Sequence, residues 1–310
     1  MRLAHERVRA EVPATSANLG PGFDALGLAL ELRDVYELEL TTSDVEVEIL
    51  GEGAEDLPRD ERHLVVRALR AALDRVGAPQ AGFHLTCTNQ IPHGRGLGSS
   101  AAAIVGGIAL ARGLLENPDV LTDHLMLQLA TEFEGHPDNA APAILGGVTT
   151  SYTVGEDAFA HTLTLRPDQD GASVLDPVII SPTTPLATEK ARALLPAELP
   201  FADAAFNVSR SALLVHALAA GDRDLLLRAT EDRMHQDRRE SGMPASVSLM
   251  HSLRAEGLPA VISGAGPTVL IPAGAPAEIA RLVRDMVDDP AQWRIARVPL
   301  AEHGVRTVLP

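Results

Sequence analysis

The feature that most constrains this chain is a glycine-rich stretch, Pro92-His93-Gly94-Arg95-Gly96-Leu97-Gly98-Ser99-Ser100-Ala101-Ala102-Ala103. A β-like run, Gly82 to Gln90, precedes it, and an apolar run, Ala101 to Leu115, follows it. The order predicts a strand, a glycine turn and a helix. Glycines at alternate positions let a backbone take positive φ and approach a ligand closely. Ser99 and Ser100 stand where helix N-caps are favoured. The first N–H groups of such a helix have no partner within it and lie at the positive end of its dipole. That arrangement is a phosphate cradle. A G-x-G alone would fit an ordinary serine-capped turn, but three spaced glycines, two serines and three alanines form a more specific pattern. Two known phosphate loops are excluded. A Walker loop ends Gly-Lys-Ser/Thr, and the only lysine here is Lys190. A dinucleotide fingerprint needs a spacing that Gly96-Leu97-Gly98 breaks.

Charge limits what such a loop can serve. The chain of 310 residues carries a formal net charge of -16, which argues against nucleic acid or an anionic membrane as partner. A polyanionic ligand must then be held by local features: N–H groups, a divalent cation and a few placed arginines. The length suits one large or two ordinary domains, and with 45% hydrophobic but only 3% aromatic residues the core must be aliphatic. Cys87 is the single cysteine and forms no intrachain disulfide, which fits a cytoplasmic setting. The charged stretch from Met1 to Arg9 lacks a signal-peptide pattern, and the apolar run after the loop stops at Arg112, too short for a bilayer span.

Along the chain, Val8 to Val12 reads as a first strand, and Pro13 to Asp24 as an ordered loop punctuated by two prolines and two glycines. Within it, Asn18 could close an Asx-turn and Asp24 could cap the next segment; together, an amide and a carboxylate could instead bind hydroxyl and ammonium groups. Leu26 to Leu32, Val35 to Leu40 and Val45 to Leu50 read as strands, and His63 to Val76 as an amphipathic helix. A helix over Asp123 to Glu134 runs into Gly135 and Pro137, which leaves His136, Asp138 and Asn139 on a loop. Their spacing does not match a zinc site, whereas a magnesium–phosphate site needs only one or two protein oxygens. In the second half, Val174 to Ser181 reads as a strand, residues 167–171 as a turn and Thr188 to Leu195 as a short helix. A helical hairpin turns at Gly221-Asp222, and Arg233 to Arg239 reads as a solvated helix end. Ser263 to Thr268 forms a second glycine turn between β-like ends.

Three separated segments now point the same way. Pro13 to Asp24 (PATSANLGPGFD), Gly96 to Ala102 (GLGSSAA) and Ile262 to Thr268 (ISGAGPT) resemble, in order, the three signature regions of the GHMP kinases. The first signature, with Glu134-Gly135-His136-Pro137-Asp138-Asn139, is similar to the homoserine kinase branch in particular. The resemblance covers nearly the whole chain. It implies an α+β fold of two domains, an N-terminal ribosomal-protein S5 domain 2-like unit over 1–155 that binds ATP and a ferredoxin-like unit over 156–310, with the site between them. It implies ATP-dependent phosphorylation of the L-homoserine side-chain hydroxyl to O-phospho-L-homoserine on the threonine pathway, with ATP and Mg²⁺ as cofactors. The loop from Pro92 to Ala102 would hold the phosphates, and Ser100 and Glu132 would bind Mg²⁺. Arg192 and Arg239 would hold the substrate carboxylate, which raises Arg239 above a solvated position. Asp24 would balance the ammonium, and Asn18, His136 and Asn139 would position the hydroxyl end. No general base stands out; Asn139 and Thr188 would align the reactants, with Asp138 as the rival base. His63 departs from the asparagine that relatives carry near the purine. The branch often forms homodimers. A mevalonate-type kinase and an inactive ligand-sensing relative are the alternative readings.

Overall fold

The structure is a computed structural model in which residues 1–167 and 174–309 are described; most of the turn expected at 167–171 lies outside them. The chain opens with β1 (Arg7–Ala17), which runs antiparallel to the 16-residue β2 (Leu26–Thr41). The loop expected from Pro13 therefore starts five residues later, at Asn18, and two predicted strands are one. The register shifts between Pro13 and Ala14. Proline cannot donate to a ladder, and a bulge is where a strand tolerates one. Past the bulge β1 is buried without alternation, so it carries Thr15 and Ser16 into the interior.

β3 (Glu46–Gly51) and β4 (Gly82–Asn89) are parallel neighbours joined through α1 (Leu64–Arg75). β4 leads through the glycine loop into α2 (Ser99–Leu114). Next come α3 (Asp123–Glu134), capped by the Thr122 hydroxyl, and α4 (Ala140–Leu145). β5 (Val148–Val154) and β6 (Asp157–Thr162) form a hairpin whose first strand pairs with β2. α2 is buried on nearly every side. Its Gly107 explains how: a Cβ there would lie 2.3 Å from the Val65 carbonyl oxygen, so only glycine lets α1 pack this closely. Leu69, Ile104 and Ile108 are fully buried in this layer, each contributing about 2 kcal/mol. The helix that begins at the loop is therefore fixed by apolar packing, independently of polar contacts in the site.

The second half supplies β7 (Val178–Pro182), α5 (Thr188–Ala193), and the hairpin of α6 (Phe201–Ala220) and α7 (Arg223–Ala229). It continues with α8 (Pro244–Ala255), β8 (Val261–Ile262), β9 (Val269–Ile271), α9 (Ile279–Met286) and β10 (Trp293–Arg297). Four strands form an antiparallel sheet in the order β10-β7-β9-β8, and α8 and α9 share its apolar core through Val247, Met250, Leu253 and Val283. A last strand, β11 (Arg306–Val308), returns to pair with β1, giving the first sheet the path β11-β1-β2-β4-β3. The fold is α+β, as expected. Leu214, Leu218, Leu226 and Ala229 of the helical hairpin join the core of the first sheet. Among the described residues no helix is long and apolar enough to cross a membrane.

Candidate functional site

The three signature segments, far apart in sequence, meet at one place. Thr15 N–H donates to the Leu97 carbonyl (3.0 Å), Gly264 N–H to the Ala17 carbonyl (3.0 Å) and Thr268 N–H to the Arg95 carbonyl (3.2 Å). The Ser263 Oγ lies 2.5 Å from the Gly96 carbonyl oxygen and 2.8 Å from Ser16 Oγ. The glycine spacing has a steric cause. A Cβ on Gly98 would lie 1.9 Å from Thr15 Oγ1, and one on Gly96 would lie 2.2 Å from the Ser263 carbonyl oxygen. Both glycines also take positive φ.

Neither Ser99 nor Ser100 is the N-cap of α2. Gly98 caps it with φ 70, and the serines are its first two helical residues. The first helical bond runs from Ala102 N–H to the Gly98 carbonyl, leaving the N–H groups of Ser99, Ser100 and Ala101 without a helical acceptor. Of the loop, Gly94, Gly96, Gly98, Ser99 and Ser100 line the cleft. Leu97, Ala101 and Ala102 bury their side chains in the core. Arg95 turns to the second sheet, donating to the carbonyls of Pro182 and Thr183, and so braces the loop.

The cleft beside the loop is a cavity of about 270 Å³ that also takes in Asn18, Asp24, His136, Asp138, Asn139, Thr188, Arg192 and Arg239. Asn18 and Asp24 both hold positive φ, 68 and 55, a conformation uncommon for any residue but glycine. The Asn18 side chain accepts from Asp24 N–H (3.0 Å) and donates to the Gly264 carbonyl (2.9 Å). Its amide thus closes the 18–25 loop and fastens it to the second glycine turn. The Asp24 carboxylate pairs with Arg192 at 2.5 Å. Arg239 is 2% exposed, which corrects the solvated reading of residues 233–239; Arg233 and Arg238 keep the solvent-facing positions. The guanidinium groups of Arg192 and Arg239 lie 5.5 and 5.7 Å from the centre of the Phe23 ring. Composition gave no sign of Phe23, although it stands in the first signature.

One metal assignment is corrected by the helix phase. Glu132 is nearly half exposed and pairs with Arg75 on α1 at 2.7 Å, away from the cleft. Glu134, two residues on and about 200° further round α3, faces the cavity that Ser100 also lines. Burial pushes the Glu134 carboxyl above its ordinary range. Gln128, one turn before Glu132, is occupied by the Glu156 carbonyl and the Ala158 N–H. Ser100 Oγ and the Glu134 carboxylate are hard oxygen donors at a helix N-terminus, and this donor set fits Mg²⁺ beside phosphate.

On the far wall, His136 Nδ1 lies 2.6 Å from Asp138 Oδ1. That hydrogen bond raises the histidine above its ordinary range, against the effect of burial. With Asp24 the two could offer three ligand atoms within 4.8 Å, but His136 and Asp138 are already bonded to each other. The Thr15 hydroxyl donates to Asn139 Oδ1 (2.9 Å), which makes the amide N–H₂ the donating end of Asn139; it lies 3.5 Å from Asp138 Oδ1. Thr15 went unnoticed in sequence because nothing marks a threonine within a strand.

A second cavity, of about 220 Å³, opens on the other side of Ser99 and Ser100. It contains three buried polar atoms without partners among the described residues: His63 Nδ1, Asn89 Oδ1 and His93 Nε2. Asp34 lies at its base, accepting from the N–H groups of Gln90 and Ile91 and from the Tyr36 hydroxyl. Burial raises Asp34 to about 6. A flat heterocycle with donors and acceptors on its edge suits this pocket. A larger cavity, of about 490 Å³, lies around Pro244 and Trp293 and includes none of the signature residues apart from Pro267.

Residues 63–147 match the family described as GHMP kinases N terminal domain. A homoserine kinase of Streptomyces coelicolor is 49% identical over 98% of this chain and 94% of its own length. The homoserine kinase of Streptomyces avermitilis is also 49% identical, over 98% and 96%. The crystal structure of homoserine kinase from Cytophaga hutchinsonii superposes with a TM-score of 0.84 at 25% identity, covering 98% of both chains. With the signature segments brought together around one loop, these likenesses make the chain a member of the homoserine kinase family of GHMP kinases.

Proposed function

We propose that this protein transfers the γ-phosphoryl group of ATP to the side-chain hydroxyl of L-homoserine, giving O-phospho-L-homoserine and ADP. The observation that carries the reading is a pairing of opposite devices across one cavity. N–H groups without a helical acceptor at the start of α2 line the same cavity as Asp24, Arg192 and Arg239. Two arginines and a carboxylate match the carboxylate and ammonium of an amino acid. The Asp24–Arg192 ion pair has the same charges, so a zwitterion would take over both partners. Membership of the homoserine kinase family supports the substrate.

Phosphoryl transfer asks for alignment and charge neutralisation more than covalent chemistry. The N–H groups from Ser99 to Ala101 would hold the phosphates. Ser100 and Glu134 would hold Mg²⁺, which when bound neutralises phosphate charge. The purine would enter the pocket of His63 and Asn89. Asn139, fixed as a donor by Thr15, would orient the acceptor oxygen and take no proton. Asp138, bonded to His136, is the carboxylate best placed to receive the hydroxyl proton late in transfer. Thr188, the first residue of α5, would close the substrate end. Asn18 acts through the loop it shapes.

The division into a unit over 1–155 and a unit over 156–310 belongs to the same proposal, with strands β6 and β11 added to the first sheet from beyond residue 155. So do a cytoplasmic setting, supported by the single buried Cys87, and a homodimer. An ADP-release assay with Mg-ATP tests the reading against L-homoserine, L-threonine, L-serine and mevalonate. Turnover on homoserine alone is expected. Turnover on mevalonate would overturn the amino-acid clamp, and ATP binding without turnover on any acceptor would favour a ligand sensor.

A further inference from the structure

Arg239 is pre-aimed by a buried histidine. Its Nε donates to the Ala191 carbonyl (3.2 Å), and its Nη1 donates to the Gly264 carbonyl (3.1 Å) and to His235 Nδ1 (3.3 Å). Three of its five N–H groups are therefore committed, and among the described residues Nη2 has no protein partner. The other ring nitrogen of His235, Nε2, lies 2.7 Å from the Gly20 carbonyl oxygen in the 18–25 loop. A carbonyl only accepts and a guanidinium only donates, so both contacts are made by one form of the ring: neutral, with hydrogen on Nε2 and a bare Nδ1. Protonation would set N–H against N–H.

The surroundings hold that form. His235 is fully buried, which lowers its proton affinity; Arg239 acts in the same direction, and Asp232 and Asp24 oppose it. Asp232, 3.8 Å from Nε2, is itself occupied by Asn207 and by the N–H groups of Met234, His235 and Gln236. The Phe23 ring, 5.1 Å from the imidazole, covers the remaining face. The loop carrying Asp24 and the turn carrying Arg239 thus meet on a single side chain.

We infer that His235 is a positioning residue that fixes the direction of Arg239 Nη2 and ties it to the loop bearing Asp24, and so sets recognition of the substrate's α-carboxylate. The inference rests on the proposed role of Arg239 as a carboxylate ligand.

The test separates the two contacts. His235→Asn keeps an acceptor at the Nδ1 position, His235→Gln keeps a donor at the Nε2 position, and His235→Leu keeps neither. Steady-state kinetics with L-homoserine and ATP, together with thermal melting, would be measured for these variants, for Arg239→Ala and for the double variant His235→Leu/Arg239→Ala. His235→Leu is expected to raise the homoserine KM about tenfold or more, as loss of a hydrogen bond to a charged group does, with the ATP KM and kcat nearly unchanged. His235→Asn should stay within about threefold of the parent, and His235→Leu should add nothing on the Arg239→Ala background. A purely structural histidine would lower the melting temperature and move both KM values together, which would overturn the inference. It would also fall if Asn and Leu at 235 were equally damaging, or if Leu acted fully without Arg239. Should the Leu variant not fold, the Asn and Gln variants decide: equal homoserine KM values would overturn it. An Arg239→Ala variant with unchanged homoserine KM would instead bring down the reading of Arg239 itself.

Discussion

The two walls of the cleft are built by different means. The wall proposed to hold phosphate, hereafter the phosphate wall, is backbone: glycines in tight contact with Thr15 and Ser263, and N–H groups left over at the start of α2. The opposite wall is side chain: Asp24 from the first half, Arg192 and Arg239 from the second, arranged around Phe23. A backbone wall recognises phosphate by shape and dipole and tolerates no added atom. A side-chain wall recognises a particular arrangement of charges and can be altered by degrees. On the proposed function, generic chemistry and substrate choice would therefore sit on separable parts of the molecule.

The contrast breaks most sharply at Gly98. Its φ of 70 and the 1.9 Å approach to Thr15 leave no room for alanine, so Gly98→Ala should lower kcat/KM about a thousandfold with every acceptor, measured by ADP release. Next is the charge that serves the phosphate wall. Glu134→Gln should lower kcat about a hundredfold and weaken the dependence on magnesium, whereas Glu132→Gln should leave turnover unchanged, which a magnesium titration checks. On the opposite wall, Arg192→Ala should raise the homoserine KM about tenfold and leave the ATP KM alone, because this half-exposed arginine is partly screened by water.

The smallest effect concerns stability. Asp34 rises from 3.8 to about 6 because burial favours its neutral form. The folded state then holds the proton more tightly than the unfolded one. Its stabilising share is present in full below about 3.8 and is lost as pH rises to about 6, on the order of 3 kcal/mol in all. Asp34→Asn should remove that slope, so the variant-minus-parent melting difference should grow more favourable from pH 4 to pH 7. A flat difference would show that Asp34 titrates alike in the folded and unfolded states.

The same contrast explains what could be read before the structure. The phosphate wall was legible because its parts are contiguous: strand, glycines, serines and an apolar helix in one stretch. Arg192 and Arg239 carry no local pattern and entered only through likeness to known sequences, whereas Asp24 was open to a polar-ligand reading beside Asn18 but equally to a capping one. Arg239 lies among Arg233, Arg238 and Asp237, where charge density alone suggests solvent, and its burial depends on Gly264 and Ala191, which sequence distance hides. The expectation of Glu132 overlooks the helix phase: α3 lies where it is expected, and residues two apart on a helix face nearly opposite ways. Pro13 misled for a related reason, since a proline ends an ordinary strand but is accommodated at a bulge.

The return of β11 to β1 has a bearing on how the protein is made. The partner of Arg9 is Val308, so the first sheet is completed by a strand synthesised about 300 residues later. At ribosomal rates of about 5–20 residues per second, the edge of β1 waits about 15–60 s for its cover. During that interval a pairing edge is open to neighbouring nascent chains, and a chaperone that shields it would raise the yield of active protein without touching the cleft.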